Sequence, residues 1–309
     1  MKIVIIGQQD FGKAVLEAFV NRGDQVAGVF CRPEKPGSKP DAMRLEALAR
    51  GVQVFQFDNL TGSAAHEAMQ ALAPDLGVMA YVVQFAPQSL LQIPKHGSLQ
   101  FHPSLLPKYR GPSAINWAIS RGEKQTGLTI FRPTDGLDEG AVISQKTCDI
   151  GPDETLGDVY FNKLFPMGVT ALLEAADSVV SGNGQTWVQD ESQASYEGWF
   201  LAAESKINWA QHIDLVYDLI RACNPAPGAW SLVGDKKLFL FDCIKHRIGR
   251  YSDSKGKPGE ITQISDTSVF ITAHSGQVEV LKVRAEDGKK MAAADYARSQ
   301  GLAAGSRLS

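Results

Sequence analysis

The sequence predicts an α/β protein: an open, doubly wound, mostly parallel sheet, followed by a smaller antiparallel β-barrel. Three observations carry this. Short β-branched runs alternate with segments of helical apolar spacing up to about Ser181. The texture then turns polar and glycine-rich in SGNGQTWVQDESQASYEG, which reads as a linker. Beyond NPAPGAW come short strands with Gly, Asp and Ser at their turns, WSLVGDKKLFLFDCI and GEITQISDTSVFITAHSGQVEVLKV.

KIVIIG (Lys2 to Gly7) is a buried parallel strand by its continuous apolar run. DFGKAVLEAFVNRG follows with Phe11, Val15, Leu16, Phe19 and Val20 at helical spacing and Gly23 as a stop. QVAGVF (Gln25 to Phe30) completes a βαβ unit, whose crossover is right-handed by rule. Further strands are VQVFQF (52–57), LGVMAY (76–81), SLQFH (98–102), GLTIFRP (127–133) and AVISQKTCDI (141–150). Helices are expected over 41–50, 63–72, 114–121 and 156–181, with Asp41 and Ser63 as N-caps, and over 210–223 in the tail.

A chain of 309 residues is longer than one core usually holds, so two domains are expected, 1–203 and 204–309. A net charge of −3 gives no general support for a nucleic-acid or anionic-membrane partner. Residues 204–309 carry 15 Lys+Arg against 12 Asp+Glu, a net +3, most visibly in KHRIGRYSDSKGK (245–257), which reads as a solvated loop. Cys31, Cys148, Cys223 and Cys243 are far apart and form no Cys/His cluster. That argues against a zinc site or a disulfide framework and predicts a reducing, cytoplasmic setting, with the cysteines as small core residues. MKIVIIG lacks the layout of a signal peptide, and no apolar run approaches the ~18 residues a membrane span needs.

GQQDFG (Gly7 to Gly12) stands where a dinucleotide fingerprint would stand. Gln9 replaces the middle glycine that lets backbone approach a pyrophosphate, so NAD is not expected. Instead, Gly7 makes the turn and Gly12 packs helix on strand.

Ligands of open α/β sheets sit beyond the carboxyl ends of strands. His102 ends SLQFH, Tyr81–Gln84 follow LGVMAY, and Asp135–Asp138 follow GLTIFRP, so three loops are expected at one crevice. A histidine there can move a proton near neutral pH, and a carboxylate can fix its tautomer. Asp135 and Asp138 are both candidates, and the pattern alone does not choose between them.

HPSLLPKYRGPSAINWAI followed by TGLTIFRPTDGLDEG resembles the formyltransferase family that uses 10-formyltetrahydrofolate. That family pairs a histidine just before an SLLP loop with an aspartate in an LDxG loop. Here these are His102 and Asp138, 36 residues apart. GQQDFG, QFAP, NKLFPMG, SYEGW, KINW, NPAPGAW and EDGKKM extend the likeness. It is strongest to the amino-terminal hydrolase domain of 10-formyltetrahydrofolate dehydrogenase, and KINW and NPAPGAW are also similar to methionyl-tRNA formyltransferase.

The resemblance implies a Rossmann-like catalytic domain, an OB-like barrel and a formyl-folate cosubstrate, with no metal. It implies His102 as proton donor and shuttle, and Asp138 as the group that holds it and orders a water. The pterin is implied against Gln84, Phe85 and Ala86 and the loop before Asp138, with Ser104, Leu105, Leu106 and Pro107 shaping the wall. Asp135 then structures its loop. Gln100 stands where most family members have an asparagine that donates to the formyl oxygen, and its amide sits one methylene further out.

The expected function is removal of the formyl group of 10-formyltetrahydrofolate to water or a small amine. Formylation of methionyl-tRNA is the alternative, disfavoured by the net −6 of residues 1–203. A non-catalytic folate sensor is a third reading, supported by Gln100 alone.

Overall fold

The computed structural model describes residues 1–248 and 256–309. In chain order the elements begin with β1 (Lys2–Gly7), α1 (Gln9–Arg22), β2 (Gln25–Cys31), α2 (Ala42–Ala49), β3 (Gln53–Gln56), α3 (Ser63–Leu72), β4 (Leu76–Ala80) and α4 (Gln88–Leu91). They continue with β5 (Ser98–His102), α5 (Ala114–Ser120), β6 (Gln125–Phe131), β7 (Val142–Asp149), α6 (Leu156–Val159), a π-turn at Tyr160–Leu164 and α7 (Phe165–Val180). The remainder is a 3-10 turn at Glu191–Gln193, α8 (Ile213–Ala222), β8 (Ala229–Val233), β9 (Lys236–Arg247), β10 (Ile261–Ile264), β11 (Val269–Ala273), β12 (Gly276–Ala285), β13 (Met291–Ala292) and α9 (Ala293–Ser299).

The chain forms two compact units, and they are not contiguous in sequence. Met1–Gly111, Gly127–Cys148 and Phe161–Tyr196 make the first; Pro112–Thr126, Asp149–Tyr160 and Glu197–Ser309 make the second. The expected boundary at 203/204 lies within the second of these units. Residues 112–126 and 149–160 are held inside the second unit: Asn116 donates to the Ala222 carbonyl at 2.9 Å, and the Tyr217 hydroxyl to Asp153 at 2.9 Å.

The first unit is the doubly wound sheet, in the order β3-β2-β1-β4-β5-β6-β7. β3 to β5 pair in parallel. β6 instead runs antiparallel to β5, with Gln100 opposite Phe131 and His102 opposite Thr129. The loop after β6 therefore does not leave at the carboxyl end of β5, as the sequence reading expects; it has to fold back to reach His102. An apolar run looks the same in either direction, so periodicity could not show this.

Two glycines at the first crossover are fixed by close approach. A Cβ on Gly7 would lie 1.9 Å from the Ala80 carbonyl oxygen, and one on Gly12 would lie 2.8 Å from Met43 Sδ. Asp41 caps α2 as expected, accepting from Arg44 N at 3.1 Å. Its other oxygen accepts from Gln9 N, at the start of α1, at 2.6 Å. The amino end of α1, where a helix favours negative charge, thus meets the protein's own carboxylate. For α3 the cap is Gly62, with Ser63 already the first helical residue and no side-chain cap bond.

The long helix expected over 156–181 is two helices joined by the π-turn. Pro166 lies in the first turn of α7, where its missing N–H is tolerated. Alternation along β5 points Phe101 at α1 and α7, where its ring centroid lies 4.5 Å from that of Phe11 and a Cβ on Gly168 would come within 2.5 Å. Gln100 and His102 point to the opposite face.

The second unit is the antiparallel sheet, in the order β10-β11-β12-β9-β8, with β13 on β12. Leu238, Leu240, Ile271, Val278 and Val280 fill its core with Ile213, Val216 and Ile220 of α8. The last residues close the sheet. Ser309 exchanges two backbone bonds with Leu232 of β8 (2.7 and 3.0 Å), while Leu308 N bonds Gly259 O and Ile261 N bonds Ser306 O, both at 2.8 Å. α9 was not expected from sequence; its alanines Ala293, Ala294 and Ala297 are buried against this core. The basic stretch 245–257 lies partly outside the described residues. Of the described part, Lys245 and Arg247 both bond Asp214.

Candidate active site

His102 is 5 % exposed and Asp138 7 % exposed, both in the first unit. His102 Nε2 lies 2.8 Å from the Tyr109 carbonyl oxygen, which can only accept. The Nε2–H bond is therefore committed, and Nδ1 is the ring nitrogen left to face Asp138. Nδ1 lies 3.5 Å from Asp138 Oδ2. The same carboxylate accepts from Gly111 N at 2.9 Å and, through Oδ1, from Gln100 Nε2 at 3.3 Å. Two donors hold the carboxylate and a third group, the imidazole, is aimed at it.

Two non-glycine residues here adopt left-handed backbone: Tyr109 at φ +59° and Asp138 at φ +56°. Such conformations cost about 1–3 kcal/mol and persist where the surroundings over-determine them. The Tyr109 carbonyl and the Asp138 side chain are the two groups that meet the imidazole.

The SLLP loop is braced from behind. Thr129 Oγ1, opposite His102, donates to Ser104 O at 2.7 Å and accepts from Leu106 N at 3.1 Å. Gln145 donates to Leu106 O at 2.7 Å, and Ser104 Oγ to Lys108 O at 2.7 Å. The side chains of Ser104 and Leu106 are buried within this loop structure, and Leu105 packs over Gly127. Pro107 accepts at its carbonyl from Ser195 N at 3.1 Å.

Asp135 does not reach the histidine. Its Oδ1 accepts from Gln88 N at the start of α4, at 2.8 Å, tying the loop after β6 to the segment after β4. Gln84 donates to the carbonyls of Phe57 and Asp58 at 2.7 and 3.1 Å. Ala86 is buried, while Tyr81, Val83, Phe85 and Leu137 are exposed. Gly7, Phe30, Val82, Val83 and Gln84 line a shallow surface depression at the carboxyl ends of β1, β2 and β4.

Two residues escaped the sequence reading. Arg110 is fully buried and Gln189 nearly so. Gln189 sits in the stretch read as a linker, and it donates to the carbonyls of Asp138 and Gly140, both at 2.8 Å. Arg110, in KYRG, was given no role by the sequence reading.

Among the described residues no group of His, Cys, Asp and Glu is arranged to hold a metal ion. No disulfide joins the cysteines, and burial pushes the Cys31 and Cys223 thiols up to about 12, which keeps them un-ionised. No helix among the described residues is long and apolar enough to cross a membrane.

A doubly wound sheet carrying a buried histidine–aspartate pair at the end of β5 defines an α/β protein whose site can hold or move a proton. Residues 1–175 match the formyl transferase family and residues 202–301 the formyl transferase C-terminal domain, so the chain belongs to the formyl transferase family. It is 36% identical over 316 residues to cytosolic 10-formyltetrahydrofolate dehydrogenase of Xenopus tropicalis, covering 98% of this chain and 35% of that protein. The chain therefore spans about a third of the length of that relative. It is 30% identical to methionyl-tRNA formyltransferase of Syntrophus aciditrophicus (strain SB), covering 100% of this chain and 99% of that one. Among solved structures, HypX from Aquifex aeolicus in complex with tetrahydrofolic acid superimposes with a TM-score of 0.68 at 21% identity, covering 98% of this chain and 48% of that chain.

Proposed function

We propose that this chain takes the formyl group from 10-formyltetrahydrofolate and releases tetrahydrofolate, with water or a small amine as acceptor, in the cytoplasm. The observation that carries the reading is the buried pair, His102 Nδ1 facing Asp138 Oδ2 at 3.5 Å, in a unit whose loops after β4 and β6 expose Phe85 and Leu137. A flat pteridine is suited to such a rim, with polar edges met by the backbone of Gln84, Phe85 and Ala86. Ser104, Leu105, Leu106 and Pro107 shape the wall by their packing. Residues 1–203 would hold the formyl-folate, and residues 204–309 would form the OB-like second domain.

In the reaction a nucleophile adds to the formyl carbon, the carbon–N10 bond breaks, and N10 takes a proton. With water the products are formate and tetrahydrofolate. His102 supplies and recovers the proton at Nδ1, and Asp138 stabilises the imidazolium that forms. Gln100 adds an amide donor close to where negative charge develops.

The test is absorbance-monitored turnover of 10-formyltetrahydrofolate by purified protein without acceptor. Turnover supports the hydrolase reading. Tight folate binding without turnover moves the acceptor to an amine. The end-to-end match to a methionyl-tRNA formyltransferase favours that second reading, tested by adding charged initiator tRNA. Folate binding with no turnover under any acceptor would leave a sensor.

A further inference from the structure

We infer that Arg110 is a positioning residue that sets the His102–Asp138 pair through Gln189, an inference that rests on the reading just proposed. Arg110 stands between the two backbone groups that meet the pair. Tyr109, before it, supplies the carbonyl that accepts from His102 Nε2; Gly111, after it, supplies the N–H that donates to Asp138 Oδ2. Fixing residue 110 fixes both.

The guanidinium is saturated. Nε and Nη2 donate to Gln189 Oε1 at 3.2 and 2.8 Å. Nη2 and Nη1 donate to the two Glu191 oxygens at 2.6 and 2.9 Å, and Nη1 donates to the Tyr196 hydroxyl. All five N–H groups are used. With both lone pairs of Oε1 taken, the Gln189 amide can have only one orientation, and its two N–H bonds go to Asp138 O and Gly140 O. The Tyr196 hydroxyl passes the chain on to Glu139 at 2.7 Å. Residues 138, 139 and 140 are therefore held one after another by a network centred on Arg110. This network holds Asp138 in its left-handed conformation, from which the carboxylate meets the imidazole. The carboxylate of Glu191 also raises the pKa of Arg110, so the cation is permanent.

The separating variant is Gln189→Glu. It keeps an acceptor for Arg110 but turns the two donors into an oxygen that faces two carbonyls, which displaces Asp138. Turnover of 10-formyltetrahydrofolate and the imidazole nitrogen NMR signals of His102, assigned with His102→Asn, are measured on the same folded protein. The expected result is a kcat about 10- to 100-fold lower with KM within about threefold, together with shifted His102 signals. Glu191→Ala, at an exposed carboxylate, gives a smaller change of the same pattern and serves if Gln189→Glu does not fold. Unchanged kcat and unchanged His102 signals in a folded variant overturn the inference. If the wild type itself shows no turnover, the proposed function fails, and the His102 signals still decide whether Arg110 and Gln189 position the pair.

Discussion

Replacing Asp138 by asparagine tests the pair with little change of shape. The carboxylate accepts from Gly111 N on one oxygen and from Gln100 Nε2 on the other. An amide has one oxygen for these two donors. Turning its NH2 toward the buried Gly111 N–H leaves a donor facing a donor, which costs about 1–3 kcal/mol. The amide oxygen therefore takes Gly111, and the weaker Gln100 bond is lost. The main chain stays, the imidazole still faces an oxygen, and the charge is gone. At 3.5 Å and an effective dielectric of about 20, an imidazolium and a carboxylate attract by about 5 kcal/mol. Part of this returns through the amide dipole, so the expected fall in kcat is on the order of 10³, within the range for a lost acid–base partner. KM for 10-formyltetrahydrofolate should stay within about threefold. Stopped assays with long incubation read such a rate, and a thermal melt checks the fold. A kcat within about tenfold of wild type would refute the role given to the pair.

Gln100→Asn withdraws the amide by ~1.5 Å, one carbon–carbon bond, from its 3.3 Å contact with Asp138. The freed amide turns to the crevice and kcat should rise about tenfold; a fall would show that holding Asp138 outweighs donation to the formyl oxygen. Gly7→Ala places a Cβ 1.9 Å from the Ala80 carbonyl oxygen, where backbone must move. Denaturant unfolding should show a loss on the order of 3 kcal/mol, and a loss below about 1 kcal/mol would contradict the close approach. Bonds from the Asp41 backbone and Gln56 hold the Glu34 carboxyl down at about 2, against an ordinary 4.5. Its contribution to stability is complete above about pH 4.5 and disappears as pH falls through about 2. Glu34→Gln should flatten the acid limb of a melting-temperature profile in that window, and an unchanged limb would place the acid sensitivity elsewhere.

The alternating strands and helices of the first unit were legible because buried parallel strands read as continuous apolar runs and helices carry a 3.6-residue period. Strand direction was not legible, and β6 is where that mattered. The choice between Asp135 and Asp138 stayed open on pattern alone. It is made in space, by a bond from Gln88 N to one and from Gly111 N to the other. The stretch 181–198 looked like a linker because it is polar and rich in glycine. Its contribution lies in bonds from Gln189, Glu191, Ser195 and Tyr196 to residues about 50 to 90 positions away, which leave no periodicity to read. Arg110 shows the same blindness: a buried arginine and a surface arginine are the same letter.

The seam in the second unit has a consequence for synthesis. Residues 306–309 lie between Leu232 and residues 259–261 and bond to both. A ribosome delivers these partners far apart in time. Until residues 306–309 are in place, β8 and β10 lack these bonds along the seam. For that interval these two edges are open to edge-to-edge pairing, and the docking of residues 306–309 ends the exposure.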